Sequence, residues 1–213
     1  MATGNGKPRA VAKQNSASVS HRRRTERKDA RILRTRQRID AAFVQLLHRR
    51  SYGDIRVSDI TRKASVGRAT FYAHYSAKDD LLRSQFERVV APMLVASPHA
   101  SLLLDAAPLF AHIRSAPRIY QALMGPNGGS APRVLRDCFE TRARKALLLD
   151  QGSSPGLQQA AMSRFVASSL LAIIECWLER GIRETPQQLQ ALFANLVSPG
   201  LRACRPSGSS RSG

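Results

Sequence analysis

Cysteine is scarce in this chain. Its 213 residues hold three, Cys138, Cys176 and Cys204. They are far apart and odd in number, which excludes a disulfide-stapled fold or a zinc-ribbon spacing and points to a reduced, cytosolic chain. Long apolar runs are missing too. No stretch of about 18 apolar residues appears, so no spanning segment is read from the sequence. The opening "MATGNGKPRAVAKQNSASVS" has no apolar core of a secretory signal. There is no glycine-rich phosphate loop and no GxSxG nucleophile motif. The five histidines, His21, His48, His74, His99 and His112, share no ligand spacing. Nothing here reads as an enzyme, a metal site or a cofactor site. Acidic residues are few, 15 against 34 Lys plus Arg, for a net charge of +19. That excess suggests a polyanionic partner, nucleic acid or an acidic membrane. It is densest at the start, +8 in residues 1–34, against +5 in 35–95 and +6 in 96–213. A membrane-surface role is disfavoured because the basic arm lacks an apolar face.

Hydrophobic residues reach 43% of the composition, enough for a buried core. Residues 1–20 show no periodicity and read as disordered, followed by the charge run "HRRRTERKDARILR". From Thr35 a helical pattern begins, with Ile39, Ala42, Phe43, Leu46 and Leu47 on one face until Gly53. "VSDITRKA" predicts a short helix, "SVG" a turn and "RATFYAHY" a second short helix. "SAKDDLL" predicts another helix start, with Ser76 as N-cap and Asp79 three residues on. That helix should reach Val90 or Val95, where Pro92 bends or ends it. The remainder is helical in pattern, with a break expected at Pro108 and a stop at Gly125. Val134, Leu135, Cys138 and Phe139 fall together on a later helix. The longest candidate covers 157–181, and Thr185 and Pro186 open the last helix. The tail "CRPSGSSRSG" reads as mobile, and no strand alternation is seen. The class is all-α.

A short helix, a three-residue turn and a second short helix form a helix-turn-helix, whose second helix enters the major groove by its N-terminal end. At 100° per residue, Phe71 and Tyr75 turn toward Ile60 and Val66. Ala69 and Ala73 turn away, flanked by Thr70 and Tyr72, with Arg68 at the tip. Alanines let a backbone approach base edges, an Arg fork suits guanine or phosphate, and Thr70, Tyr72 and His74 can donate to phosphate oxygens. Lys78 opens the next helix, where its charge and backbone N–H groups suit another phosphate.

Residues 34–82, and "TFYAHY" followed by Lys78 above all, resemble the N-terminal domain of the TetR (tetracycline-repressor-like) family of bacterial transcriptional regulators. Two departures stand out. Ser65 occupies the turn where the family usually has Gly, and Arg56 opens the first short helix where it usually has Thr, leaving Ser58 to help cap it. By motif position the resemblance places DNA contacts on Ser58, Arg68, Ala69, Thr70, Tyr72, His74 and Lys78. It implies a cytoplasmic, nucleoid-associated homodimer on a near-palindromic double-stranded operator, paired through helices near 157–180 and 186–198. A small-molecule effector would displace the helix starting at Lys78 and release a repressor. The expected organisation is a basic N-terminal arm (1–34), a three-helix DNA-binding domain (35–82), a helical effector-binding and dimerisation domain (83–202) and a tail (203–213). "LLAIIECWL" is apolar nearly all round and so should be buried on all sides, partly against a partner. Candidate pocket residues are Phe110, Leu123, Met124, Phe139, Phe165 and Trp177, with His112 and Arg114 as polar anchors. An effector-independent architectural DNA-binding protein would use the same helix pair without a pocket.

Overall fold

The computed structural model describes residues 9–96, 104–146 and 156–203, with side chains from Arg27 onward except at 95–96 and 202–203. The expected mobile tail therefore lies almost wholly outside the described residues, as do residues 1–8 of the arm. The chain runs α1 (Arg9–Leu47), a 3-10 turn (Tyr52–Asp54), α2 (Val57–Ala64), α3 (Arg68–Tyr72) and α4 (Lys78–Gln85). It continues through α5 (Ala107–Ser115), α6 (Pro117–Met124), α7 (Ala131–Ala146), α8 (Leu157–Glu179) and α9 (Pro186–Ala203). One hydrophobic core extends from Ile39 on α1 to Leu201 on α9. The all-α class holds.

Several boundaries differ from expectation. α1 begins at Arg9, not near Thr35, so residues 9–34 are helical and not disordered. Neither Pro nor Gly interrupts the chain between Pro8 and Gly53, so no breaker stops the helix from extending past the point where its apolar face ends. α4 does not end cleanly. It widens into a π-helical turn at Phe86–Val90, tightens into a 3-10 turn at Ala91–Met93, and leaves helix at Leu94. Two short strands, β1 (Val95–Ala96) and β2 (Leu104–Asp105), then pair antiparallel. Two residues per strand are too few for alternation to register. The Gln190 side chain of α9 secures this ladder, accepting from the Ala106 amide at 2.8 Å and donating to the Leu104 carbonyl at 3.1 Å. Pro108 sits in the first turn of α5 instead of breaking it, a place where its missing N–H costs nothing. Ser76 is not the cap of α4. Ala77 is, in extended conformation, while the Ser76 amide donates to Asp80. Thr185 does cap α9, in a reciprocal pair with Gln188, and the helix runs on through Pro199. α8 is long and apolar enough by composition to cross a membrane, but half of that window is buried inside the helical body.

The start of α4 joins the N-terminal helices to the rest. Asp79 Oδ1 accepts hydrogen bonds from the Tyr52 hydroxyl at 2.6 Å and the Ser130 hydroxyl at 2.7 Å, and Arg133 reaches Oδ2 at 3.4 Å. Lys78 turns back to donate to the carbonyls of Tyr52 (2.6 Å) and Ile55 (2.7 Å), its ammonium 4.0 Å from the Tyr52 ring centroid. The Gly53 amide donates to the Asn127 carbonyl at 2.9 Å. A Cβ on Gly53 would lie 2.6 Å from that oxygen, so the approach requires glycine. Edge-to-face packing of Phe43 on Tyr52, with centroids 6.1 Å apart, completes the junction.

Burial works against the Asp79 charge, but the hydrogen bonds from Tyr52 and Ser130, aided by Arg133 and Lys78, outweigh it and hold the carboxyl below its ordinary 3.8. Burial and the bond to Asp79 together raise the Tyr52 hydroxyl well above its usual range. A carboxyl depressed on folding stabilises above its unfolded pKa, and that contribution fades as pH falls through the folded value. Asp79→Asn should therefore lower the melting temperature at pH 7, and the gap to the unaltered protein should close below about pH 3.8. A gap independent of pH in thermal unfolding curves would contradict this.

Candidate nucleic-acid interface

The helix pair begins with a backbone device. The Arg56 amide donates to Asp59 Oδ2 at 3.0 Å, so Asp59 closes the start of α2 where Arg56 replaces a capping Thr. Ser58 takes no part in that cap; its carbonyl accepts from Thr61 Oγ1 at 3.1 Å and the residue is exposed. That same Arg56 bond, reinforced by Arg50 at 3.3 Å and Arg62 at 2.8 Å, lowers the Asp59 carboxyl pKa. Arg50, Arg56, Ser58 and Arg62 rim one polar groove. Sequence reasoning missed this cluster because its arginines stand six residues apart, Arg50 after α1 and Arg56 and Arg62 near the two ends of α2.

α2 ends at Ser65, in the left-handed region at φ 51° and ψ 50°. The Val66 amide reaches back to the Thr61 carbonyl at 3.0 Å, and Arg38 of α1 donates to the Ser65 carbonyl at 2.9 Å. The departure from Gly seen in the sequence thus falls on a position where L-residues are strained. α3 then runs only from Arg68 to Tyr72, shorter than the expected 68–75. The Phe71 carbonyl collects the amides of both His74 and Tyr75, which ends the helix in a turn.

Phe71 and Tyr75 point inward, 0% and 3% exposed. Arg68, Ala69, Thr70, Tyr72 and Ala73 are exposed, Tyr72 at 50%, and His74 is half-buried. The outward face expected from helical periodicity is therefore open. The Tyr75 hydroxyl donates to Asp40 Oδ1 at 2.8 Å and accepts from Arg36 Nε at 3.1 Å, and Arg88 of the π turn pairs with Asp40 Oδ2. Burial, then the Asp40 bond, raises the Tyr75 pKa. α3 is thus tied to α1 and to the end of α4. Lys78 departs from expectation: its ammonium serves the Tyr52 and Ile55 carbonyls, and burial lowers its pKa. A phosphate beside it would meet the backbone N–H groups of the first turn of α4 instead.

Of the six expected pocket residues only Phe165 and Trp177 line a common groove, between α8 and α9. Phe110 and Trp177 are core partners, edge to face at 6.0 Å, and Phe139 packs on Phe86 at 4.8 Å. Phe165 is 46% exposed on the outer side of α8. Met124 borders a groove with Gln121, Leu178 and Glu179. Leu123 alone lines a cavity of about 280 Å³ between α1, α4, α6 and α7, where His112 also sits. Arg114 is exposed. Apolar residues of one size on consecutive helices carry no mark that separates core from cavity wall.

Residues 39–84 match the model of bacterial regulatory proteins of the tetR family, and residues 106–199 match a transcriptional-regulator C-terminal region. The first match spans α1's buried end to α4, the helices whose open face was just described. The chain belongs to the tetR family. Residues 39–84 are thus a helix-turn-helix domain of that family. A curated relative, the uncharacterized HTH-type transcriptional regulator YxbF of Bacillus subtilis (strain 168), is 28% identical over 191 residues, 85% of this chain. The chain spans about half, 49%, of that relative's length. Among solved structures, a TetR transcriptional regulator from Streptococcus agalactiae 2603V shares the fold with TM-score 0.57 at 22% identity, over 82% of this chain and 99% of that one. The dihydroxyacetone kinase operon activator DhaS shares it with TM-score 0.50 at 21% identity, over 79% and 97%.

Relief of backbone strain gives a direct check on the turn of this tetR-family domain. Ser65→Gly should raise stability by about 1 kcal/mol, read as a shift of the urea midpoint at constant slope. A lower midpoint would mean that the Ser65 side chain contributes more than its backbone costs.

Proposed function

We propose that the protein represses transcription by occupying operator DNA as a homodimer and that a small-molecule effector releases it. The observation that carries the DNA half is the open face of α3. Ala69 and Ala73 leave room for base edges, Arg68 stands at the tip, and Thr70, Tyr72 and His74 flank with donors for phosphate. Ser58 and the arginines rimming its groove approach the same duplex, joined by the first-turn amides of α4. The basic, helical residues 9–34 add sequence-independent attraction. On this reading 35–82 form the reading unit, 83–202 the sensing and pairing unit, and the protein works in the cytoplasm on the nucleoid.

A five-residue recognition helix touches few base pairs, so a two-fold pair of such helices on half-sites about 34–36 Å apart is the physical route to specificity. An apolar stripe on α8 and α9 supports the pairing. Phe165, Leu192 and Leu196 are 46%, 46% and 55% exposed and border an open groove with Ala172, Ile173 and Leu189. Exposed apolar side chains in one contiguous stripe mark an interaction surface. The chain-facing side of α8 is buried by α7, which leaves this side for the partner.

Two outcomes are expected. On DNA flanking the protein's own gene, footprinting should show two protected half-sites, and Arg68→Ala should weaken binding there by about 1–3 kcal/mol in anisotropy titrations. Equal affinity of the variant would remove α3 from the interface. Leu196→Glu should turn a dimer into a monomer in sedimentation equilibrium, and an undisturbed dimer would place the pairing surface elsewhere.

A further inference from the structure

α1 outruns the body it packs on. Its buried face begins at Ile39, whereas its first residue is Arg9. At 1.5 Å per residue, the part before Ile39 is about 45 Å long. Its charge is not spread evenly round the helix. Arg38, Arg34, Arg31, Arg27 and Arg24 follow one another at steps of three or four, so these positions share one side. Ser20 and Ser16 carry the same row on to Lys13 and Arg9. The acidic positions of the segment fall elsewhere. Asp29 lies opposite the row, and Glu26 is about 100° round the helix from Arg27. Arg22 and Lys28 also fall outside the row.

Arg27, Arg31, Arg34 and Arg38 are all exposed. Like charges three and four residues apart repel and weaken a helix, so the row works against the free chain's own stability. A polyanion lying along it removes that repulsion. Where the row ends decides what it meets. Arg38 Nη2 donates to the Ser65 carbonyl at 2.9 Å, in the turn just before α3. Arg68, the tip of α3, is three residues further on. A duplex entered by that tip brings its phosphates beside the turn, at the foot of the row.

We infer that α1 lays this basic row along the DNA phosphate backbone next to the groove that α3 enters, as a second DNA-contacting element. Contacts of this kind fix position and add affinity without reading bases. An acidic membrane suits the helix less well, because a helix lying on lipid needs an apolar face and Asp29 and Glu26 interrupt the remainder of this one. The inference deepens the proposed operator binding and rests on it. It also goes further than a diffuse attraction by the whole basic segment, since it makes the side of the helix matter.

Two double variants of the full chain remove equal charge. Arg27→Gln with Arg31→Gln lies on the row; Arg22→Gln with Lys28→Gln lies off it. Glutamine keeps a good helix former at each position. Anisotropy titrations at about 50–200 mM salt, on the footprinted operator and on a random duplex of equal length, compare them. The row pair should lose roughly tenfold in affinity at the lowest salt and flatten the plot of log affinity against log salt by about 2. The off-row pair should lose less than about twofold, because its charges stand away from the phosphates. Hydroxyl-radical cleavage should show backbone beside each α3 groove protected by the unaltered protein and the off-row pair, and exposed again with the row pair. Equal losses for the two pairs, or an unchanged slope and footprint for the row pair, would overturn the contact. So would DNA affinity equal in all three proteins while phosphatidylserine vesicles retain the unaltered protein and not the row pair, which would assign the row to an acidic membrane. Loss by the row pair on the random duplex, with no half-site footprint from the unaltered protein, would count against the operator reading alone.

Discussion

Asp79 accepts a hydrogen bond from Tyr52 on one side and from Ser130 on the other. The seating of α2 and α3 on the C-terminal helices depends on that bridge. Lys78 beside it ties the carbonyls of the 3-10 turn to the same helix start, and Gly53 brings the loop against Asn127 with no room for a side chain. Two oppositely charged neighbours on one helix turn thus divide the work: the anion reaches toward the C-terminal helices, the cation back toward the N-terminal ones.

A second junction lies at the other end of α4. There the π turn swings Arg88 onto buried Asp40, and Asp40 holds Tyr75 behind the recognition helix. The N-terminal junction fixes where the reading unit sits; this one fixes how α3 is aimed. A helix clamped at both ends transmits displacement instead of absorbing it.

Much of the reading surface was legible before any coordinates. The 100° step of a helix separates Phe71 and Tyr75 from Ala69 and Ala73, and burial follows that division. The same step puts Ile39, Ala42, Phe43 and Leu47 in the core. What failed is equally instructive. Lys78 looks like a phosphate ligand because a cation at a helix start often is one, but its partners, Tyr52 and Ile55, are distant in sequence. Ser76, with Asp79 three residues on, looks like a cap for the same local reason. The pocket was illegible because cavity walls and core are built from the same residue types. The beginning of α1 was missed because apolar periodicity stops at Ile39, whereas a helix without proline or glycine need not.

The central claim is that the reading helices and the C-terminal helices form one mechanical unit through the start of α4. Native-state hydrogen exchange in sub-denaturing urea tests it most directly. The account predicts that slow amides of α2, such as those of Ile60 and Ala64, and slow amides of α7, such as those of Leu135 and Phe139, merge into one opening with a common urea slope. Amides of α2 that exchange through a separate, low-energy opening while α7 stays protected would contradict it.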